Sequence, residues 1–281
     1  MPGLILEGGT FRPLFSCGVM DALLDEHLMF DYVSGVSAGI TYAFSYLSQQ
    51  RGRNLEVITK YRNDKRYLSL GNYLKCKSVF GLDFVFDEIP NTLFPFDWYT
   101  FHHYSGRVRV GVTNAETGKA EYLDGMKLDT RSTMLRATCA LPYYFPPINV
   151  NGTLYYDGGI ADSIPIAQAL RDGSRRNLIV LTRPEGYWKT TSPSAKLGAK
   201  AMKNRFPALA KTMLSRAQRY NETTALIRLL QQRAPADTVV LRPEHALHSF
   251  EKDVSMLKDT YEHGYQMAMR NMDAIKALFA E

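Results

Sequence analysis

Gly3 to Leu6 reads as a short buried strand that stops at Gly8 and Gly9. Leu14, Phe15, Gly18, Val19, Ala22 and Leu23 then recur at helical spacing and predict a helix over 14–28. Phe30–Ser34 predicts a second strand and 38–48 a second helix, so the chain opens with a β-α-β-α unit of a parallel sheet. Such units place ligands at the carboxyl ends of their strands. From 55 to 104 the period fades and aromatics crowd around the breakers Pro90 and Pro95, which predicts helices and loops over one end of the sheet. Alternation over 107–113, a turn at 114–119 and a return at 120–123 predict an antiparallel hairpin at a sheet edge. Residues 132–141 are helical and end at Pro142, Pro146 and Pro147; 153–156 forms a short strand running into Asp157, Gly158 and Gly159. Residues 177–182 are apolar in the manner of a buried parallel strand. Long helical periods over 195–232 and 251–279 flank a strand at 238–241. The expected class is α/β: a three-layer α/β/α sandwich with a mostly parallel central sheet and extra C-terminal helices. No internal repeat or low-complexity tract interrupts the pattern.

A chain of 281 residues, 45% hydrophobic, is long enough to bury a large core, and a single domain over 1–281 is expected. The net charge of +6 suits a phosphate-rich surface, either lipid headgroups or nucleic acid. Much of it gathers between Gly186 and Asn221, which hold no acidic residue but Lys189, Lys196, Lys200, Lys203, Arg205, Lys211, Arg216 and Arg219. Apolar Leu197, Met202, Phe206, Leu209, Met213 and Leu214 interleave with these cations, as in helices that lie on anionic membranes and equally in helices packing one face on a core. Cys17, Cys76 and Cys139 are odd in number and widely spaced, the pattern of free thiols in a reducing compartment. Glu7 follows Leu4–Leu6 with no basic residue before it, and no apolar stretch approaches the length of a membrane span. The expectation is a cytoplasmic protein whose membrane contact, if any, is peripheral.

The chemistry gathers at Gly35, Val36, Ser37, Ala38 and Gly39, a Gly-x-Ser-x-Gly run between a predicted strand and helix. Such a turn crowds the backbone, admits only small flanking residues and pushes the serine hydroxyl out as a nucleophile. A histidine-assisted α/β-hydrolase would place several strands before that serine, yet only one strand and one helix fit before Gly35. None of the six histidines has a site-like context. The remaining candidate base is Asp157, followed by Gly158 and Gly159 at a strand end.

Glu7-Gly8-Gly9 with Arg12, the Ser37 run and Asp157-Gly158-Gly159 occur in an order and spacing that resemble the patatin-like phospholipase family. Ala140-Leu141-Pro142 before the aspartate and Ile164-Pro165-Ile166 after it are similar to the family as well. The resemblance covers about residues 3–182, the motif-bearing core; the helical extension over about 190–281 is unmatched. It implies Ser37 as nucleophile, Asp157 as general base and the backbones of Gly8, Gly9 and Thr10 as oxyanion hole. It further implies Arg12 as a nearby positive charge, and a lipid or phospholipid acyl ester as substrate. No cofactor, metal or nucleic acid is implied.

Two residues depart from the family's glycine loop: Thr10 stands at its third glycine and Pro13 at its last. A β-branched residue resists positive φ, so a site that needs that conformation at Thr10 would be distorted. Pro13 lacks an N–H, but its fixed φ suits a first helical turn. Arg12 reads equally as a loop organiser or as a salt-bridge partner of Glu7. The Gly8–Pro13 run does not fit the Gly-x-Gly-x-x-Gly spacing of a dinucleotide loop. Two alternatives to a lipid acyl hydrolase stay open: a lipid-binding or regulatory protein of the same fold with impaired turnover, and a small-molecule esterase or thioesterase. The basic segment 189–219 and the aromatic stretch 80–101 are expected to wall or cover an acyl pocket, the former with possible anionic-membrane contact.

Overall fold

The computed structural model describes every residue except Lys77, Tyr143 and Glu281, and no side chain of Leu70, Lys75 or Cys76. The Cys76 thiol therefore lies outside the described residues, while Cys17 and Cys139 are free. In chain order the elements are β1 (Pro2–Leu6), α1 (Leu14–Asp25), β2 (Tyr32–Val36), α2 (Ser37–Leu47), α3 (Arg53–Tyr61) and α4 (Leu70–Cys76). A π-helical segment (Phe84–Leu93) precedes α5 (Trp98–His102), β3 (Arg107–Asn114), β4 (Ala120–Asp124), α6 (Thr133–Cys139), β5 (Ile148–Val150) and β6 (Thr153–Asp157). There follow α7 (Ile166–Arg171), β7 (Arg176–Val180), α8 (Pro193–Met202), α9 (Pro207–Arg233), β8 (Thr238–Leu241), α10 (Val254–Arg270) and α11 (Met272–Ala277).

One eight-stranded mixed sheet organises the described residues. Its parallel part runs β3-β2-β1-β7-β8, with Leu4 opposite both Val33 and Leu178. The sandwich follows from alternation along the strands. On one face Leu4, Leu6, Val33, Leu178 and Val180 pack with α1, α2, α10 and α11. On the other, Ile5 and Ile179 pack with Ile166 and Ala169 of α7 and Tyr220 and Ile227 of α9. The fold is a three-layer α/β/α sandwich with additional C-terminal helices.

The hairpin over 107–123 takes its expected place at an edge: β4 pairs only with β3 and forms a border strand, while β3 pairs on with β2 and β6. The sequence reading passes over β5, which forms a tight hairpin with β6 across Asn151 (φ 50°) and Gly152 (φ 89°). Positive φ at both central residues is the hairpin turn that Asn-Gly favours.

Helices α1 and α10 cross in direct backbone contact. A Cβ on Gly18 would stand 1.9 Å from the carbonyl oxygen of Tyr261, and one on Gly264 would stand 1.9 Å from that of Phe15. The crossing therefore requires both glycines, and it anchors the helix that follows the glycine loop.

Candidate active site

Val36 ends β2 in extended conformation (φ −136°, ψ 153°), and Ser37 opens α2 with φ 53°. A non-glycine residue in this left-handed region costs on the order of 1–3 kcal/mol and persists only where its surroundings impose it. Here they do: a Cβ on Gly35 would meet the Leu6 carbonyl oxygen at 2.9 Å, and one on Gly39 would meet that of Glu7 at 2.4 Å. The Ser37 N–H donates to Thr138 Oγ1 at 2.8 Å, and that hydroxyl donates to the Gly111 carbonyl at 2.5 Å. The serine backbone is thereby pinned to α6 and β3, and its hydroxyl lies at the positive end of α2.

Asp157 ends β6. Val36 pairs with Gly111 and Asp157 with the next residue, Val112, so the ends of β2 and β6 converge on successive positions of β3. Gly158 permits the approach, since its Cβ would stand 2.1 Å from the Gly111 carbonyl oxygen and 2.9 Å from Val36 Cγ1. The Asp157 carboxylate is 2% exposed and accepts the Gly159 N–H at 2.7 Å. Burial pushes its pKa above the usual carboxylate range, against the lowering effects of the Ser37 hydroxyl, Arg216 and the Gly159 N–H. Cys139, close to Ser37, was not anticipated at the site. Burial raises its thiol pKa to about 12, so it stays protonated and non-nucleophilic at neutral pH.

The glycine loop passes directly beside the serine, for a Cβ on Gly8 would lie 2.9 Å from Ser37 Cβ. Gly9 (φ 153°) has no room for a side chain, since its Cβ would meet the Arg12 guanidinium at 2.5 Å. Thr10 does adopt the left-handed conformation (φ 58°) that its branching disfavours. A turn closed by Arg12 N–H to the Gly9 carbonyl (3.2 Å) holds it there, and the Phe11 N–H reaches Ser249 at 3.3 Å. Among the described residues the N–H groups of Gly8, Gly9 and Thr10 take no hydrogen-bond partner, which leaves three free donors in the loop beside Ser37. Pro13 caps α1, and its carbonyl accepts the first helical bond from Cys17 at 2.9 Å.

Arg12 is buried and donates to Thr182 Oγ1 (3.2 Å), to the Gly8 carbonyl (3.4 Å) and to the Ser249 hydroxyl. It forms no ion pair with Glu7 among the described residues. The Glu7 carboxylate instead accepts the Thr182 N–H (2.6 Å) and the Tyr220 hydroxyl (3.2 Å). Of its two sequence readings, the loop organiser matches these contacts.

The sequence profile described as "Patatin-like phospholipase" matches residues 4–170, more than half of the chain. The chain belongs to the patatin-like phospholipase family. A second profile, for a domain of unknown function (DUF6363), matches residues 206–280. Among curated proteins, the uncharacterized protein YjjU of Escherichia coli is 25% identical over 201 residues, covering 66% of this chain and 53% of its own. The chain thus spans about half the length of that relative. Lysophospholipase NTE1 of Cryptococcus neoformans is 26% identical over 205 residues, 68% of this chain but 12% of its own. Among solved structures, VipD from Legionella pneumophila aligns over 97% of this chain and 67% of its own, with a TM-score of 0.49 at 12% identity.

In this patatin-like chain Ser37 stands where two differently lined spaces meet. An apolar slot of about 90 Å³ runs from Ser37 and Thr41 between Phe11, Tyr42, Tyr67, Phe80, Phe86 and Phe145. Thr41, Tyr42, Tyr67, Val85 and Phe86 also line a second space of about 80 Å³ that reaches Phe96 and Trp98. The aromatic stretch 80–101 therefore walls these spaces. On the other side of Ser37 lies a polar cavity of about 450 Å³ lined by the glycine loop, Asp157, Arg12, Arg183, Lys189 and Arg216. Arg183 was not singled out in the sequence. Lys189 and Arg216, expected on a basic surface, face this cavity, and Arg219 donates to the Ile160 and Ala161 carbonyls at 2.8 and 3.0 Å. Among the described residues no histidine lines the polar cavity.

Proposed function

We propose that the protein is a lipid acyl hydrolase that cleaves carboxylic esters through an acyl-serine intermediate, with Ser37 as nucleophile and Asp157 as general base. The observation that carries this reading is a buried carboxylate of raised pKa facing a serine held in left-handed conformation at a strand-to-helix elbow. Ser37 Oγ attacks the ester carbonyl carbon as its proton passes to Asp157, and the negative oxygen receives the Gly9 and Thr10 N–H groups. The C–O bond to the alcohol then breaks, and the alcohol leaves with the proton from Asp157. In the second half, Asp157 takes a proton from water, the hydroxide attacks the acyl-serine, and the fatty acid departs as Ser37 regains its proton. A carboxylate of ordinary pKa is a weak base at neutral pH, and burial improves the match.

The apolar slot supports an acyl chain as ligand, each buried methylene contributing about 0.8 kcal/mol. The family description and the relative described as a lysophospholipase support a lipid substrate. We further propose that residues 1–281 work as one unit, since the glycine loop after β1, the segment after β7 and α9 all contribute to one cavity. In this reading the exposed Trp188, Leu197 and Leu214, among exposed lysines of α8 and α9, meet an anionic lipid surface. No described helix is long and apolar enough to cross a membrane.

The test is labelling by a fluorophosphonate probe of the wild type, Ser37→Ala and Asp157→Asn, followed by fatty-acid release from phospholipid vesicles. Labelling abolished by Ser37→Ala, with turnover reduced at least 1,000-fold by each substitution, is the expected result (on the scale of removing a member of a catalytic unit). A folded wild type that resists labelling would sink the reading and favour a lipid-binding role.

A further inference from the structure

The polar cavity gathers four cations, Arg12, Arg183, Lys189 and Arg216, against two carboxylates, Glu7 and Asp157. Both carboxylates are already engaged, Glu7 by the Thr182 N–H and Tyr220 and Asp157 by the Gly159 N–H and Ser37. Arg12 spends its donors on the loop. The other three make no ion pair among the described residues, although most arginines involved in ion pairs here lie at the surface. Arg183 rests over the Tyr187 ring at 4.6 Å, and its buried Nε has no hydrogen-bond partner. The Lys189 ammonium lies 4.3 Å from the Tyr220 ring centroid. Arg216 anchors Nε on the Gly159 carbonyl at 2.6 Å, and among the described residues its terminal nitrogens donate to nothing.

Cations brought this close without counter-charge repel one another, and the protein bears the cost of their desolvation. Lys189 records it: burial first, then Arg216, Arg12 and Arg183, lower its pKa to about 7. A multiply charged oxyanion removes the repulsion and takes several charge-assisted hydrogen bonds at once. Because Arg216 also touches the turn that carries Asp157, an anion held here sits next to the scissile bond, opposite the apolar slot.

We propose that Arg183, Lys189 and Arg216 form a phosphate subsite, so that the substrate is an acyl ester whose leaving alcohol bears a phosphate with no cationic substituent. The substrate clause rests on the hydrolase reading above; the subsite itself does not. A neutral glycerol ester leaves the three cations unpaired, and a choline-bearing phosphate adds a fifth cation to the cavity.

The experiment is calorimetric titration of the full chain carrying Ser37→Ala, which binds without turnover. The ligands are lysophosphatidate, lysophosphatidylcholine and monoacylglycerol of one acyl chain, together with inorganic phosphate. Lysophosphatidate is expected to bind at least tenfold more tightly than the other two lipids, and Arg183→Gln with Lys189→Gln is expected to remove that margin. The charge-conserving pair Arg183→Lys and Lys189→Arg is expected to keep it, which separates loss of charge from loss of fold. Equal affinities for the three lipids, or a margin that survives the glutamine pair, would overturn the subsite. Inorganic phosphate binding as tightly as lysophosphatidate would overturn the lipid as its source and make this a free-phosphate site. Fluorophosphonate labelling of the wild type runs alongside. A labelled protein without the margin loses only the subsite, and an unlabelled protein with the margin keeps the subsite and loses the substrate clause.

Discussion

A carboxylate buried away from water is a residue that works against its own fold. The folded pKa of Asp157 lies above its free value of 3.8, and burial is the main cause. The sign follows from linkage: the stability this group contributes is full below about pH 3.8 and is lost as pH rises through the folded pKa. Asp157→Asn removes the charge while keeping an acceptor for the Gly159 N–H. It should therefore abolish turnover yet stabilise the fold near pH 7 by about 1 kcal/mol, read as a Tm gain of roughly 2–4 °C that shrinks toward acidic pH. A variant less stable than wild type at both pH values would show that the native hydrogen bonds outweigh desolvation. Ser37 and Asp157 were legible as candidates because the glycines beside them are backbone requirements written into the local sequence. Thr10 was legible as a candidate too, but not that it takes the left-handed conformation, which a turn and Ser249, far along the chain, impose. Arg183 and Thr138 carry no local signature at all.

At the scale of elements, hydrophobic period was sufficient for the parallel strands and most helices, since each buries a face whose spacing is fixed by its own geometry. It also sufficed for the β3–β4 hairpin, whose alternation and turn placed it at an edge. It failed where an element is too short, as the three-residue β5 cannot show a period. The α1–α10 crossing was equally hidden, because Gly18 and Gly264 look like any other helical glycines until their helices meet. Gly264→Ala should push the helices apart at a cost of roughly 1–3 kcal/mol, measured as a lower midpoint in urea with m unchanged. An unaltered midpoint would mean that the helices slide without loss. The same substitution should weaken fluorophosphonate labelling, since α1 begins directly after the glycine loop beside Ser37.

The whole molecule assembles its polar cavity from the glycine loop after β1, the segment after β7, α9 and the Ser249 loop, so its charge balance was not readable from any one stretch. The sequence showed a basic segment over 189–219, and only the fold shows Lys189 and Arg216 turned inward. Glu7, Arg12, Arg183 and Arg216 face Lys189, with the rings of Tyr187 and Tyr220 against it. Lys189 is charged below about pH 7 and neutral above, whereas in the proposed mechanism Asp157 acts in its ionised form. For a phosphate-bearing ester kcat/KM should thus rise as Asp157 ionises and fall about tenfold above pH 7, and Lys189→Arg should move the falling limb to higher pH. A limb unmoved by that substitution would assign it to another group. Because β2 and β6 bring Ser37 and Asp157 to adjacent rungs of β3, their separation is set by the ladder spacing and not by the reach of side chains. With these two as the proposed nucleophile and base, substrate arrives at a finished instrument, and selectivity has to come from what fits, not from what closes.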